Sequence, residues 1–221
     1  MHEIFKKLAW MGDVWILWIL VFGSITSFGI MIERWFVFRQ NRFQFEKFLE
    51  DLIVRLEMGD LSAARQLARS FSTVESRVAL AGLSNCSNGL SAMEKAMTAK
   101  FILERAHLEK NLIILGTLGN NAPFVGLLGT VLGVIQAFND LGTSGSSGIS
   151  VVMSGISSAL IATAFGIFVA IPAVAANNYF YTRLKRISAH CQSLIDTMQA
   201  HIRYDRSARS FHSKEVEPVL S

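Results

Sequence analysis

Three long runs of uncharged, mostly apolar residues dominate the pattern of this chain. They cover residues 14–32, 111–139 and 141–182, and none of them contains an Asp, Glu, Lys or Arg. A helix rises about 1.5 Å per residue and a bilayer core is about 30 Å thick, so about 20 such residues cross it. The pattern predicts an all-α integral membrane protein with transmembrane helices at 14–32, 111–139 and 151–176.

The polar segments between these runs keep helical periodicity. Residues 33–110 are predicted to form a helical cytoplasmic domain and residues 177–204 a cytoplasmic helix, so that two of the transmembrane helices extend into the cytoplasmic region. Ser91 and Glu94 have the spacing of a capping box, which predicts a helix at 92–110 that runs directly into the second span. The remaining segments are predicted as an external amphipathic N-terminus (1–13), an external loop (140–150) and a mobile tail (205–221).

Basic residues near the ends of the spans indicate the orientation. Arg34, Arg39 and Arg42 follow the first span and Arg183, Lys185 and Arg186 follow the third, whereas residues 140–150 contain no Lys or Arg. Lys and Arg near span ends are retained on the cytoplasmic side. We therefore expect an external N-terminus and a cytoplasmic C-terminus in a multi-pass membrane protein.

The charge balance does not indicate a nucleic-acid partner. Only 17% of the 221 residues are charged, and residues 33–110 carry 12 Lys or Arg against 10 Asp or Glu, which is ordinary for a solvated helical domain. Cys86 and Cys191 both fall on the predicted reducing side, so no structural disulfide is expected.

Small residues form a stripe along one face of the second and of the third predicted span. The second stripe contains Gly126, Gly129, Thr130 and Gly133, and the third contains Gly155, Ala159, Ala162, Thr163 and Gly166. Such stripes permit close helix packing in lipid, and a threonine hydroxyl can bond back to the carbonyl four residues earlier. The alternative is that Thr130 and Thr163 form a polar ring for ions when several copies surround an axis. Neither span is ionisable, so a proton-bearing acid would have to come from a partner.

Three segments carry a resemblance to a known family. They are APFVGLLGTVLGV at 122–134, ISSALIATAFG at 156–166 and IPAV at 171–174. These segments, at this distance from each other, closely resemble the ExbB/TolQ group of the MotA/TolQ/ExbB proton-channel family.

The resemblance implies a homopentamer in the bacterial inner (cytoplasmic) membrane, with the external N-terminus in the periplasm. The pentamer encloses the single transmembrane helices of two ExbD/TolR-like partner subunits. The partner's Asp carries the proton, threonines matching Thr130 and Thr163 line the path, and the inner-membrane proton gradient drives mechanical work on a periplasmic or envelope process. Pro123 and Pro172 are expected to kink the helices. The family usually has a Glu where this chain has Ser158, so Ser158 is included among the candidate pathway residues.

Several alternatives stay open or are disfavoured. A non-conducting scaffold that anchors a partner is the main competing function, whereas an enzyme lacks a nucleophile and base constellation. A MotA-type flagellar stator usually has four spans, whereas three are counted here, so the ExbB/TolQ group fits better. No metal or cofactor is expected, since His190 and His201 lie about three helical turns apart. Asp140 is interpreted as a helix end or loop residue or as a proton-collecting mouth, and the choice between H⁺ and Na⁺ is left open.

Overall fold

The computed structural model describes residues 14–40, 44–144 and 148–215, and every regular element among them is a helix. The predicted N-terminal segment 1–13 lies outside the described residues. The elements are α1 (Val14–Gln40), α2 (Phe45–Glu57), α3 (Leu61–Ser70), α4 (Val74–Asn85), a 3₁₀ turn (Cys86–Asn88), α5 (Leu90–Glu109), α6 (Leu112–Ser144) and α7 (Gly148–Glu215).

Three of these helical stretches are long and apolar enough to cross a membrane. They are Trp15–Arg39, a part of Leu90–Gly142 and a part of Val152–Ile202. The prediction of an all-α protein with three candidate spans is therefore confirmed. Its oligomeric state stays a prediction.

The chain divides into two compact units. The first, here called the membrane unit, contains Met1–Trp35 and Asn111–Tyr181, and the second, here called the polar unit, contains Phe36–Lys110 and Thr182–Ser221. All three uncharged runs fall in the membrane unit except for Thr182 at the end of the third.

The core of the membrane unit joins α1, α6 and α7 through apolar side chains. The buried residues are Ile16, Leu20, Ala122, Leu132, Val169 and Ala170, with Trp15, Val125 and Phe165 packed against them. Contact among three helices gives each of them a fixed rotation about its own axis, which decides the faces that α6 and α7 present to each other.

A buried arginine ends the α1 segment of this unit. Arg34 is 1% exposed and its guanidinium lies 2.6 Å from Glu33 Oε1. The side-chain amide of Asn111 donates to the other oxygen of Glu33 at 2.7 Å. A buried charge is tolerated only when it is paired and hydrogen-bonded, so this group connects the end of α1 to the residue before α6.

The prediction of one continuous helix from residue 92 into the second span is wrong. Helix α5 ends at Glu109, Lys110 leaves the helical region with ψ of 137°, and Asn111 has φ of 63°. Asn tolerates this left-handed conformation better than most residues because its short side chain bonds locally. The helix is therefore interrupted just before α6 begins at Leu112.

The predicted capping box is also wrong. Helix α5 begins at Leu90, its N-cap is Gly89 with φ of 105°, and no side chain caps it. Ser91 consequently lies inside the first turn and is not the N-cap. Glycine at residue 89 adopts a positive φ without a Cβ clash, and this geometry sets the start of the helix.

Helices α6 and α7 extend further than the sequence predicted. Helix α6 continues to Ser144 and α7 begins at Gly148, so most of the predicted loop 140–150 is helical and only residues 145–147 lie outside the described part. Helix α7 also continues to Glu215, into the segment predicted as a tail, and residues 216–221 lie outside the described part.

Helices α4 and α5 pack against each other in the polar unit. A Cβ on Gly82 would lie 2.5 Å from Met97 Sδ, so the Met97 side chain fills the space that a larger residue at position 82 would need. Met93, Met97, Val78 and Leu83 are fully buried around this contact. Helices α4 and α5 thus form an antiparallel pair within the core of this unit, because α5 follows α4 after a short turn.

Side-chain caps fix the starts of α3 and α4. Asp60 accepts a hydrogen bond from the Ala63 N–H at 2.9 Å, and Thr73 accepts one from the Ser76 N–H. The Ser62 hydroxyl, which donates to the same carboxylate, and then the Ala63 N–H lower the pKa of Asp60. Both caps have the residue types expected at helix starts.

An ion pair between α4 and α5 predicts a measurable stability difference. The Arg77 guanidinium donates to both carboxylate oxygens of Glu104 at 2.9 and 2.7 Å, and Glu104 is only 13% exposed. We expect Glu104→Gln to lower the protection of α4 and α5 amides against hydrogen exchange by about 1 kcal/mol, because a half-buried bidentate pair is lost.

The control for this change is Glu109→Gln. Glu109 pairs with Arg105 on the same helix, and the two side chains are 35% and 53% exposed. An exposed pair of this kind contributes about 0.5 kcal/mol or less. Equal losses of protection in the two variants would contradict the importance of the interhelical pair.

Candidate ion pathway

The small residues of α6 and α7 meet within one chain, backbone against backbone. A Cβ on Gly126 would lie 2.7 Å from the carbonyl oxygen of Ala162, and a Cβ on Gly166 would lie 2.6 Å from that of Ala122. Neither position has room for a methyl group unless a helix moves. In lipid such close approach is a main source of helix association, because apolar burial contributes little there.

The same seam continues along both helices toward their connection. Cβ atoms on Gly129, Gly133 and Gly155 would lie 2.7, 2.6 and 2.6 Å from the Cβ atoms of Ala162, Ala159 and Ala137, respectively. Ala159 and Ala162 are completely buried. The small-residue faces are thus used in contact between α6 and α7, which we call the α6–α7 seam.

Thr163 lies at this seam, and its hydroxyl oxygen has no hydrogen-bond partner although the atom is buried. The interpretation that Thr163 bonds back to the carbonyl of Ala159 is therefore wrong. A buried hydroxyl without a partner costs about 1–3 kcal/mol, and water or a group from a neighbouring subunit would remove this cost.

Thr130 differs from Thr163 in how its hydroxyl is used. Its Oγ1 donates to the carbonyl oxygen of Leu127 at 2.7 Å, three residues earlier and not four. Its neighbour Gly129 faces Ala162, the neighbour of Thr163. A Cβ on Gly126, one turn before Thr130, would lie 3.0 Å from Thr163 Cα. The two threonines therefore lie within about one helical turn of each other along the seam. The Thr130 hydroxyl donates a hydrogen bond, whereas the Thr163 hydroxyl has no partner.

Ser158 lines a polar cavity of about 490 Å³ between α6 and α7. Gln136, Asp140 and Ser154 line it as well. Helix α6 contributes Gln136 and Asp140, and α7 contributes Ser150, Ser154 and Ser158. Within each helix these residues are one turn apart, which places them on one face. The cavity supplies amide, hydroxyl and carboxylate groups at the Asp140 end of the seam.

Sequence reasoning missed Gln136 and Ser154 as parts of this site. A search for uncharged runs treats Gln and Ser like any other uncharged residue, so neither was noticed. The available signal was their spacing of four residues from Asp140 and Ser158, which had already been singled out. The prediction of Asp140 as a loop residue is replaced by a position inside α6.

Both prolines lie inside continuous helices, Pro123 in α6 and Pro172 in α7. The missing N–H of Pro123 leaves the carbonyl of Gly119 without its helical donor. The side-chain amide of the nearby Asn121 donates to the carbonyl of Thr117 at 2.8 Å and therefore does not replace this donor.

The histidines considered as metal ligands face different acids. His190 Nδ1 lies 3.2 Å from Glu75 Oε1, and His201 Nε2 lies 3.2 Å from Glu57 Oε1. Within the described ranges, no three His, Cys, Asp or Glu side chains are grouped as they would be around a metal ion.

A model of the MotA/TolQ/ExbB proton channel family matches residues 70–193, more than half of the chain. The chain belongs to this family. The match contains α4, α5, α6 and the part of α7 up to residue 193, and so includes every candidate pathway residue.

Similar proteins come from several bacteria. The Tol-Pal system protein TolQ of Pseudomonas aeruginosa is 39% identical over 111 residues, which are 50% of this chain and 48% of that protein. The biopolymer transport protein ExbB of Xanthomonas campestris pv. campestris strain B100 is 44% identical over 88 residues, 40% of this chain and 35% of that protein. The ExbB of Helicobacter pylori strain J99 is 54% identical over 71 residues, 32% of this chain and 49% of that protein. The matched segments thus span half or less of these relatives.

The α6–α7 seam predicts that a glycine in the seam tolerates a methyl group much less well than a membrane-unit glycine outside it. We expect Gly166→Ala to destabilise the detergent-solubilised protein by about 1–3 kcal/mol, because overpacking forces the two backbones apart. Thermal unfolding measures the change. Gly29 in α1 has no atom within 4 Å of its Cβ position, so Gly29→Ala is the control and should be neutral or slightly stabilising. The seam would lose its importance if both variants unfolded at the wild-type temperature.

Proposed function

We propose that this chain is the channel subunit of a proton-driven motor in the bacterial inner membrane. It converts the proton gradient into mechanical work on a periplasmic or envelope process. The observation that carries the proposal is the buried Thr163 hydroxyl without a hydrogen-bond partner at the α6–α7 seam, in a chain of this proton channel family.

The absence of ionisable groups from the predicted spans determines what else the motor requires. Residues 111–139 and 151–176 contain no Asp, Glu, Lys, Arg or His. A proton crossing this region therefore needs an acid from another subunit, while hydroxyls and water supply hydrogen bonds along the way. An ExbD/TolR-like subunit with one span and a proton-carrying Asp meets this need.

The exposed faces of α6 and α7 support an assembly of several copies around the partner. Both helices leave large apolar side chains uncovered in the single chain, including Phe124, Leu127, Val131, Leu160, Ile161, Phe168 and Ile171. Lipid or neighbouring subunits must cover such faces. In the proposed arrangement five copies enclose two partner helices, and Thr130 and Thr163 lie along the ion path.

The polar cavity at Ser158 serves as the external entrance in this arrangement. Asp140 and Ser150 line it, and the distribution of Lys and Arg predicts that this end of the helices faces the periplasm. Ser158 offers a hydroxyl where a carboxylate is usual in the family, and Ser154 and Gln136 add further uncharged hydrogen-bonding groups. The oxygen atoms of these groups accept hydrogen bonds from water or hydronium, and they also suit the coordination of Na⁺.

A non-conducting scaffold is the second candidate function. The observation that favours it is Ser158 itself, because the chain lacks the carboxylate usual at that position and has no other acid in its spans. The scaffold holds a partner in the membrane without passing ions. It predicts no flux from vesicles that contain both proteins.

The test of the channel is ion flux in vesicles that contain this chain and its partner. Thr163→Val keeps the volume of the side chain and removes the hydroxyl, and we expect it to reduce proton flux about tenfold or more. Thr163→Ser should retain most of the flux. Thr26→Val is the matched control, because Thr26 in α1 donates its hydroxyl to the carbonyl of Phe22 at 2.8 Å.

A Thr163→Val variant that conducts protons as fast as the wild type would contradict the proposed path. Absence of flux from the wild-type pair, with the complex intact by size-exclusion chromatography, would favour the scaffold. Replacing H⁺ with Na⁺ as the only gradient in the same vesicles identifies the ion.

The entrance predicts a second effect on flux. Gln136→Met preserves size and removes the amide from the polar cavity, and we expect flux to fall about threefold or more because water loses a hydrogen-bond partner there. Ile135→Met is the neighbouring control, since Ile135 is exposed on α6 and does not line the cavity. Equal flux in the two variants would exclude the cavity from the path.

A further inference from the structure

The polar unit contains a second and larger cavity, of about 810 Å³. This volume lies within the range of small-molecule sites. Charged residues of both signs line it, which include Glu46, Lys47 and Glu50 of α2, Glu75 of α4, and Arg183 and Arg186 of α7. None of these residues has a part in the proposed ion path.

The wall of this cavity is anchored by a buried acid. The Glu75 side chain is 2% exposed, and its Oε1 lies 3.2 Å from His190 Nδ1. The other oxygen, Oε2, is buried without a hydrogen-bond partner. A carboxylate oxygen normally accepts hydrogen bonds, and Oε2 of Glu75 accepts none. A donor from a ligand in the cavity would supply the missing hydrogen bond.

His190 is held rigidly at the same place. Its ring stacks on that of Phe45 with the centroids 4.3 Å apart and an angle of 3° between the planes. Glu75 binds one ring nitrogen, and both rings line the cavity. The stacked pair gives the cavity an aromatic wall, which attracts a cation as well as flat groups.

The charges around the cavity are balanced and not of one sign. Lys47, Arg183 and Arg186 supply three cations, and Glu46, Glu50 and Glu75 supply three carboxylates. Among the described residues, Lys47 and Arg186 make no ion pair with Glu46 or Glu50 within 4 Å. A simple anion would be attracted by the three basic residues and repelled by the three carboxylates. A ligand that carries both a positive and a negative group can pair with both sets of residues.

We infer that this cavity binds a phosphoethanolamine group, in which a phosphate ester and a primary ammonium lie a few bonds apart. The phosphate contacts Lys47 and Arg186, since guanidinium groups suit phosphate geometry. The ammonium donates to the carboxylates of the other half and faces the aromatic wall. Arg183 is the first charged residue after the uncharged run 141–182, where basic residues meet lipid headgroups.

The same group occurs in phosphatidylethanolamine headgroups and in soluble phosphate esters. Isothermal titration of the full-length, detergent-solubilised protein with phosphoethanolamine and with dihexanoyl phosphatidylethanolamine separates the two sources. Tighter binding of the lipid assigns a headgroup, and equal or weaker binding of the lipid assigns a soluble ester. No saturable binding of either compound would overturn the inference.

Two matched comparisons test the chemistry of the site. Phosphocholine has the same charges but no N–H donor, so it should bind at least about threefold more weakly than phosphoethanolamine. Arg186→Gln should weaken phosphoethanolamine about tenfold, because a charge-assisted hydrogen bond is lost. Lys185→Gln removes the same charge from the adjacent exposed residue outside the cavity, and it should change affinity less than about twofold.

A third variant keeps the test decisive if Arg186→Gln fails to fold. Glu50→Gln changes an exposed residue and removes one carboxylate from the cavity lining. The ratio of the affinities for phosphoethanolamine and phosphocholine should therefore decrease. Equal binding of the two ligands to the wild type, or equal losses in Arg186→Gln and Lys185→Gln, would contradict the site. Binding is measured without a partner or a proton gradient, so its outcome is independent of the proposed channel.

Discussion

The contact on which the membrane unit depends is the approach of two helix backbones at the α6–α7 seam. In a bilayer, apolar side chains gain little by leaving lipid for protein, so helices associate through close packing and hydrogen bonds. Gly126 and Gly166 face the carbonyl oxygens of Ala162 and Ala122 at distances that exclude even a methyl group. This contact fixes the register and rotation of α6 and α7 relative to each other, and therefore the relative positions of the polar side chains along the seam.

The position of Thr163 follows from that contact and gives the proposed channel its chemistry. The seam buries the Thr163 hydroxyl without a partner, whereas Thr130, within about one helical turn of it, donates to its own helix. A membrane protein of this family with no acid in its predicted spans can pass protons only along hydroxyls, water and a carboxylate supplied by another subunit. The polar unit carries acidic and basic side chains around a cavity. The ligand site inferred there is formed by residues that take no part in the proposed ion path.

Much of this architecture was predictable because a bilayer imposes simple rules on sequence. The lengths of the uncharged runs predicted three spans, and the spacing of Gly126, Gly129 and Gly133 predicted a smooth helix face. The break at Asn111 and the start of α5 at Gly89 were not predictable in the same way, since each depends on a single positive φ that periodicity does not encode. The cavity around Glu75 and His190 joins residues separated by more than a hundred positions, and no local pattern reports such a contact.

The central claim is that the Thr163 hydroxyl belongs to an ion path shared with an acidic partner helix. An experimentally determined structure of this chain with its partner tests it most directly, through the distance from Thr163 Oγ1 to the nearest partner carboxylate or ordered water. The account predicts a hydrogen bond of about 3 Å to one of them. A central space without a partner helix, or a Thr163 hydroxyl enclosed by lipid or apolar side chains, would contradict it.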